Sequence, residues 1–432
     1  MGSEGVTLAS SLRLPCGATL PNRIAKGAMT EGLARADGVA TPELARLYRL
    51  WSDGGAGMLL TGNVQIDRDH LERPGNVIID REPSPEARAA LSAWAAAGTH
   101  AGNHLWMQIS HAGRQTPAQV NPNPKAASAV KLGLPGGQFG SPVALTGDEI
   151  ETLIARFAAA AKVARETGFT GAQIHSAYGY LLSSFLSPRA NIRTDEWVGS
   201  VENRARFLLE TIKAVRAAVG SDFPLSVKLN SADFQKGGFA FEDSVIVAGW
   251  LQSAGVDLLE ISGGSYEQPK MMDMDGLETS EAPKVAASTA AREAYFVDFA
   301  KVMKAKLTMP LMVTGGFRTR AAMEHALSNG AADIIGIGRP LCGDPAAPNA
   351  LLAGATHIAR YEQALNLLPA PLRWLRRFDM VKAIDGFAVQ YWYYAQLYAL
   401  GRTGAANPNL SVLASWREVE RTHKALMASA AA

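Results

Sequence analysis

The chain has 432 residues, of which 47% are apolar and 19% charged, and its net charge is +2. This composition supports a sizeable core and excludes a largely disordered chain, while the near-neutral charge argues against a strongly basic nucleic-acid surface. The two cysteines, Cys16 and Cys342, are too few for a disulfide framework. With neither a secretory signal nor a long apolar run, the sequence predicts a cytoplasmic protein that does not span a membrane.

Short apolar runs recur along the first three quarters of the chain, each about as long as a buried strand. Their near-continuous hydrophobicity is typical of parallel strands covered on both faces. The eight runs cover 23–28, 57–62, 104–109, 171–175, 223–229, 257–261, 310–313 and 333–338.

Helix signals separate most of these runs. Thr41 and Ser84 each precede a proline and a glutamate, a pattern that favours a capped helix start. Thr146 and Glu149 form a capping box that opens an Ala-rich helix through about Thr167. Two further helices are predicted from Ser200 to Val219 and over 318–329.

Alternating strands and helices predict a (β/α)₈ TIM barrel over residues 1–355. The rival, an open doubly wound sheet, usually carries a Gly-rich dinucleotide fingerprint, which this sequence lacks. Residues 12–20 indicate a small hairpin cap beneath the barrel. Residues 356–432 have no strand pattern, so we expect a C-terminal helical extension packed on the barrel.

In such a barrel the functional residues follow the carboxyl ends of the strands. Gly315-Gly316 and Gly338-Arg339 follow the last two predicted strands, where a phosphate site commonly lies. The glycines allow close approach of backbone N–H groups to an anion, and Arg339 adds a donor fork. Two tight turns and a solvated arginine are the simpler interpretation.

His175, Tyr178 and Tyr180 follow the fourth predicted strand. Histidine and tyrosine can each donate a proton or a hydrogen bond, so the group is a candidate catalytic cluster. Packed, structural side chains are the alternative.

The other polar residues in the sequence do not indicate a metal site. Zinc-type, P-loop and nucleophile-elbow motifs are absent from the sequence. His111 and Arg114 either touch a ligand or make structural hydrogen bonds. The remaining histidines that we considered are isolated in the sequence: His70, His100, His104, His325 and His357.

At these residues the sequence resembles the Old Yellow Enzyme family of FMN-dependent ene-reductases, also described as NADH:flavin oxidoreductases. The resemblance covers about residues 12–345. Its segments, taken in order, are Leu-Pro-Asn22-Arg23-Ile, Gln108-Ile-Ser-His111-Ala-Gly-Arg114, Ile-His175-Ser-Ala-Tyr178-Gly-Tyr180, Phe185-Leu-Ser-Pro188, Glu202-Asn-Arg204, Thr314-Gly315-Gly316-Phe and Ile337-Gly338-Arg339-Pro-Leu.

The resemblance implies that FMN lies across the barrel mouth, with NADH or NADPH as reductant. Ala28, Met29 and Thr30 would back the flavin ring, and Thr30 occupies the position of a Thr or Cys that tunes it. Asn63 stands at a position of small residues beside the ring. Gln108 would bond the pyrimidine edge. Lys228 replaces a common arginine, and the phosphate would be held by Gly315, Gly316, Gly338 and Arg339.

The resemblance also assigns the catalytic roles. His175 and Tyr178 would grip the activating oxygen of an enone-like small molecule, and Tyr180 would donate the proton. Many family members have Asn or His where this chain has Tyr178, which leaves the substrate range open. The oligomeric state is open as well, and a homo-oligomer is compatible with the sequence.

Three alternatives remain at this stage. A longer branch of the family carries an iron–sulfur cluster, for which two cysteines are insufficient. A flavin-free, aldolase-type barrel requires a Schiff-base lysine, for which Lys228 is the candidate. A flavin-binding barrel that has lost turnover and acts as a sensor is favoured only by the departure at Tyr178.

Overall fold

The computed structural model describes residues 5–134, 137–262 and 297–431. Eight parallel strands close into a barrel, because each strand pairs with the next along the chain and the eighth pairs with the first. The strands are β1 Ile24–Lys26, β2 Met58–Leu60, β3 His104–Ser110, β4 Gly171–Ser176, β5 Leu225–Asn230, β6 Leu258–Ser262, β7 Leu311–Thr314 and β8 Ile334–Ile337. The predicted TIM barrel is therefore confirmed, and every predicted strand is present.

Helices surround the barrel. They are α1 Pro42–Asp53, α2 Pro85–Gly98, α3 Gly147–Glu166, α4 Leu181–Leu186, α5 Val201–Val219, α6 Phe241–Ser253, α7 Val297–Lys304, α8 Arg320–Ser328, α9 Pro340–Gly343, α10 Ala347–Leu352, α11 Asp379–Thr403 and α12 Val412–Ala431. None of the helices within the described ranges combines the length and apolar character needed to cross a bilayer.

The predicted caps explain where the helices begin. Thr41, Ser84 and Ser200 each accept a hydrogen bond from a backbone N–H in the first turn of their helix. Thr146 and Glu149 form the complete capping box of α3. The helix predicted from 318 begins two residues later, because the side chain of Thr319 caps it. Each cap satisfies a donor that the helix leaves unpaired.

Apolar side chains fill two layers. The larger lies between the strands and the helices, and the smaller fills the barrel interior. The predicted hairpin forms between Leu12–Arg13 and Thr19–Leu20, and its Leu14 and Leu20 belong to the interior layer together with Met58 and Met312. The hairpin therefore closes the amino-terminal end of the barrel and leaves the carboxyl ends of the strands for a site.

The helices α11 and α12 form the C-terminal part of the chain. They pack on each other, and α11 packs on α1. Arg46 of α1 donates hydrogen bonds to the carbonyl oxygens of Gly401 and Arg402, at 2.6 and 3.0 Å. The domain boundary at residue 355 stays a prediction.

Candidate active site at the barrel mouth

The carboxyl ends of β4 and β5 bring the candidate catalytic residues together. The His175 ring stands edge-on to the Tyr180 ring, with 4.6 Å between centroids, and lies 6.2 Å from the Tyr178 ring. Lys228 is paired with His175 across the two strands. All three predicted catalytic side chains thus share one end of the barrel, although their roles stay predictions.

His175 is buried and uncharged. Burial is the main reason why its pKa lies well below the ordinary value, and the positive charge of Lys228 adds to the effect. Its Nδ1 accepts a hydrogen bond from the N–H of Ala177 at 3.3 Å. A neutral imidazole that accepts at Nδ1 carries its proton on Nε2. His175 is therefore a neutral hydrogen-bond donor.

Tyr178 adopts a left-handed backbone conformation, with φ of 60°, which is uncommon for a bulky residue. The side chain of Asn230 fixes this turn by accepting from the Tyr178 N–H at 3.1 Å. Burial raises the pKa of the Tyr178 hydroxyl, while Lys228 and a hydrogen bond with Ser262 act in the opposite direction. The hydroxyl therefore keeps its proton at neutral pH.

A chain of buried polar side chains crosses the barrel below this cluster. Gln108 donates to Gln173 at 2.6 Å, and Gln173 donates to Glu260 at 2.9 Å. Glu260 pairs with Lys228, whose Nζ lies 3.2 Å from a carboxylate oxygen. Burial alone lowers the pKa of Lys228, but Glu260 and Tyr178 outweigh it and the pKa is raised. Lys228 is therefore a fixed cation beneath the mouth.

Sequence reasoning missed Gln173 and Glu260. The signal was available, because both lie at interior positions of predicted strands, in register with Gln108 and Lys228 respectively. A buried glutamate opposite a buried lysine is what a charged site inside a barrel requires.

Thr30 and Asn63 meet at the ends of β1 and β2, together with Glu72, which the sequence did not single out. Thr30 donates to the Glu72 carboxylate at 2.6 Å, and the Asn63 amide lies 3.3 Å from the same oxygen. The Asn63 amide also lies 3.5 Å from the Tyr180 hydroxyl. No motif marks Glu72, since it comes from a loop whose course only the tertiary structure shows.

The predicted phosphate cradle lies at the ends of β7 and β8. Thr314 pairs with Gly336, which places Gly315-Gly316 beside Gly338-Arg339. Gly315 and Gly316 have φ of 111° and 80°, which side-chain-bearing residues rarely adopt. A Cβ on Gly338 would project into space in which Met29 Sδ, at 3.9 Å, is the one neighbour among the described residues.

The site has the features that a phosphorylated flavin requires. Two buried polar atoms at the mouth, Asn63 Oδ1 and Thr314 Oγ1, have no hydrogen-bond partner among the described residues. Burying such atoms unpaired is costly, so a polar ligand is expected to satisfy them. The open side of Gly338 allows close approach, and Arg339 offers positive charge to a phosphate. The residues present therefore fit FMN.

Ala28 and Met29 lead from β1 towards this cradle. Met29 Sδ lies 3.5 Å from Cys342 Sγ, which ties the loop to α9 after β8. The structure thus brings the two predicted ends of the cofactor site, the 28–30 loop and Gly338, to one side of the mouth. The sequence also places Gly263 and Gly264 at the end of a predicted strand, as further candidates for the site, but these two residues lie outside the described residues.

Asp67, His70 and His111 form a second polar cluster, whose potential ligand atoms lie within 4.8 Å of one another. His70 Nε2 accepts from the Lys125 N–H at 2.8 Å, and His111 Nδ1 accepts from the Gly113 N–H at 3.0 Å. The nitrogens that face Asp67 therefore carry the protons, whereas a metal needs them deprotonated. The cluster therefore suits the support of the Asp67 carboxylate better than the binding of a metal, with His70 Nδ1 at 3.2 Å and His111 Nε2 at 3.8 Å from the carboxylate.

Comparison with known proteins agrees with this geometry. The family model for the NADH:flavin oxidoreductase / NADH oxidase family matches residues 16–356. The chain is 38% identical to the NADH-dependent flavin oxidoreductase iliE of Hypocrea jecorina over 79% of this chain and 88% of that protein. It is 35% identical to the NADH-dependent flavin oxidoreductase iccE of Talaromyces variabilis over 92% of this chain and 99% of that protein.

A solved structure gives the same assignment. The Old Yellow Enzyme homologue from Zymomonas mobilis superposes with a TM-score of 0.67 and 27% identity, over 81% of this chain and 94% of that one. The fold and site define a flavin-dependent oxidoreductase barrel. This chain belongs to the NADH:flavin oxidoreductase / NADH oxidase family, within the Old Yellow Enzyme group, with FMN as cofactor and a nicotinamide nucleotide as reductant.

Proposed function

We propose that this protein reduces the activated C=C bond of α,β-unsaturated carbonyl compounds at the expense of NADH or NADPH. The observation that carries the proposal is the group of neutral donors, His175, Tyr178 and Tyr180, gathered at the mouth of an FMN-type barrel. When bound, FMN supplies the hydride transfer, from the nicotinamide to the β-carbon of the substrate.

The chain's own residues orient and polarise the substrate. His175 donates from Nε2 to the carbonyl oxygen, and Tyr178 supplies a second donor, so negative charge developing on that oxygen is stabilised. Tyr180 gives its hydroxyl proton to the α-carbon, which completes the addition of one hydride and one proton. Lys228 contributes a fixed positive charge beneath the mouth, held by Glu260.

The aldolase alternative is disfavoured by the state of Lys228. A Schiff-base lysine must present an unprotonated amine, which requires a lowered pKa. Lys228 instead pairs with Glu260 and its pKa is raised. A purified protein without bound flavin would revive this alternative.

Tyr180→Phe tests the proposal, since it keeps the ring and removes only the hydroxyl. Reduction of the bound flavin by NADH is expected to continue, while reoxidation by an enone such as 2-cyclohexenone slows by about 10²–10⁴-fold. Stopped-flow absorbance measures the two half-reactions separately. An equal loss in both would indicate general damage, and wild-type protein that reduces no enone while oxidising NADH would contradict the proposal.

A further inference from the structure

We propose that Glu72 is a positioning residue of the active site, which fixes the hydroxyl of Thr30 and orients Tyr180 through the Asn63 amide. The inference rests on the proposed function, in which Tyr180 supplies the proton. Thr30 Oγ1 and Asn63 Nδ2 lie 2.6 and 3.3 Å from the same Glu72 oxygen. The Tyr180 hydroxyl oxygen in turn lies 3.5 Å from Asn63 Nδ2.

Counting protons fixes the direction of these hydrogen bonds. Thr30 has one hydroxyl proton, and an ionised carboxylate only accepts, so Thr30 donates to Glu72. The 2.6 Å separation is in the range of a charge-assisted O–H···O⁻ bond. Thr30 therefore faces the rest of the site as an acceptor, and Asn63 Nδ2 lies 3.4 Å from its oxygen.

The same count explains the effect on Tyr180. The Asn63 amide has two hydrogens, and one of them is directed at the oxygens of Glu72 and Thr30. The remaining hydrogen is directed at the Tyr180 oxygen. Because the Tyr180 oxygen accepts a hydrogen bond from Asn63, its own hydroxyl proton points away from Asn63. The amide also stabilises the phenolate that forms when Tyr180 gives up its proton.

The C-terminal helices hold Glu72 in place through its neighbour Arg73. The buried Arg73 guanidinium donates to Tyr398 at 3.0 Å and lies 3.1 Å from His423 Nε2. It also stacks over the Tyr394 ring, 3.6 Å from the centroid. A second hydrogen bond, at 3.4 Å, reaches the backbone oxygen of Thr30 itself. Arg73 thus ties α11, α12 and the 28–30 loop to the segment that carries Glu72.

Glu72→Gln tests this role, since it keeps the size of the side chain and removes its negative charge. We expect FMN retention and undiminished reduction by NADH, together with about tenfold to hundredfold slower reoxidation by 2-cyclohexenone. With FMN held by the residues at the mouth, its reduction potential should become more positive, because removing a negative charge from the site favours the anionic reduced state. Glu72→Asp keeps the charge, so its potential should stay near the wild-type value. Glu151→Gln, an exposed glutamate on α3, is the matched control.

A double variant separates positioning from independent effects. In a Tyr180→Phe background, Glu72→Gln should slow enone reduction clearly less than in the wild-type background, since only the part of its effect that comes from the flavin potential remains. An equal further loss in that background would overturn the inference, and so would a Glu72→Gln variant with the rates and potential of the Glu151→Gln control.

The inference and the proposed function fail in different ways. Wild-type protein that reduces no enone contradicts the proposed function, while the potential of Glu72→Gln still tests the carboxylate's effect on the flavin. If Glu72→Gln does not fold, Asn63→Leu tests the same link, because it removes the amide between Glu72 and Tyr180. A wild-type reoxidation rate in Asn63→Leu would overturn the inference.

Discussion

At the scale of single residues, the site depends on polar groups kept neutral by burial. His175 is 4% exposed and Tyr180 5% exposed, so their charged forms would lose most of their hydration. Lys228 keeps its charge because Glu260 compensates for it. The mouth of the barrel therefore presents neutral hydrogen-bond donors close to one compensated ion pair, as the proposed reduction of a carbonyl-activated C=C bond requires.

Two interpretations of Tyr178 compete. Either its hydroxyl donates a hydrogen bond to the substrate, or its side chain only lines the pocket. Tyr178→Phe preserves the wall and deletes the donor. With His175 still present, we expect about a tenfold to hundredfold fall in enone turnover and weaker binding of phenols, measured by steady-state kinetics and absorbance titration.

An unchanged rate and phenol affinity in Tyr178→Phe would leave His175 as the anchor. Tyr178→Asn restores the residue common in the family and should widen the range of accepted enones. It also suits the backbone, because asparagine adopts the φ of 60° at this position more readily than tyrosine.

Arg339 is the predicted phosphate ligand of the cradle. Arg339→Ala should weaken FMN binding by about one to two decades, since losing a charged hydrogen bond costs about 1.5–3 kcal/mol. Fluorescence titration of the apoprotein with FMN measures the change. Arg320→Ala, which breaks an ion pair with Glu324 on α8, is the control and should bind FMN as the parent does. Equal affinity of Arg339→Ala and the parent would refute the phosphate assignment.

At the scale of elements, pairing between strands assembles residues that are distant in the sequence. Gly315 and Gly338 become neighbours only because β7 and β8 pair in register. The positive φ of Gly315 and the open space beside Gly338 are local properties. The cradle itself forms only when the two segments lie side by side. In the same way, the C-terminal helices supply Tyr398 and His423 as partners of Arg73, which lies more than 300 residues earlier in the chain.

Truncation after Gly404 tests whether α12 belongs to the same cooperative unit as the barrel. It would expose Tyr398, which is fully buried, and remove the stack of Trp416 on Tyr391 and the hydrogen bond from Trp392 to Leu410. Uncovering two or three large side chains should lower the free energy of unfolding by about 3 kcal/mol or more.

Thermal unfolding followed by circular dichroism measures this effect. We expect one transition at a lower temperature in the truncated protein. A barrel transition at the wild-type temperature would show that the extension is independent. Arg417→Ala, on α12 itself, changes little buried surface and should leave the transition in place.

At the scale of the whole molecule, buried titratable groups link folding to pH. Burial lowers the pKa of His111 to about 4, with a further contribution from His70. Burial alone would raise the pKa of Asp67, but the neighbouring imidazoles of His111 and His70 outweigh it and hold the pKa well below its usual range. Arg156, 3.2 Å from Asp67, supports the ionised carboxylate.

These shifts predict that acid destabilises the fold. His111 has a lower pKa in the folded than in the unfolded chain, so the unfolded state binds more protons between pH about 6.5 and about 4. The free energy of unfolding should fall across that window by up to about 3 kcal/mol, and Asp67 should add a further loss below it.

Urea unfolding at a series of pH values measures how the free energy of unfolding changes with pH. His111→Gln should reduce the slope between pH about 6.5 and about 4 but not abolish it, because buried His175 also has a lowered pKa. His325→Gln, at an exposed position, should leave the slope unchanged. A slope in His111→Gln equal to that of the parent would assign the acid sensitivity to other groups.

The sequence by itself determined the barrel, the caps of its helices and most of the mouth residues. These follow from local rules: strand-length apolar runs, side-chain caps, and polar residues placed where a strand ends. His175, Tyr178 and Tyr180 lie within six residues of one another, so the sequence itself shows that they are neighbours, although Asn230 of β5 holds the turn at Tyr178.

Only the tertiary structure decided the partners of those residues. Glu260 opposes Lys228 because β5 and β6 pair in one register, and Glu72 reaches Thr30 and Asn63 because the segment after β2 folds back over the mouth. Arg73 finds Tyr398 and His423 only when α11 and α12 pack on the barrel. Such contacts join segments whose separation no local pattern encodes, and they set the charge and proton positions on which the site's chemistry depends.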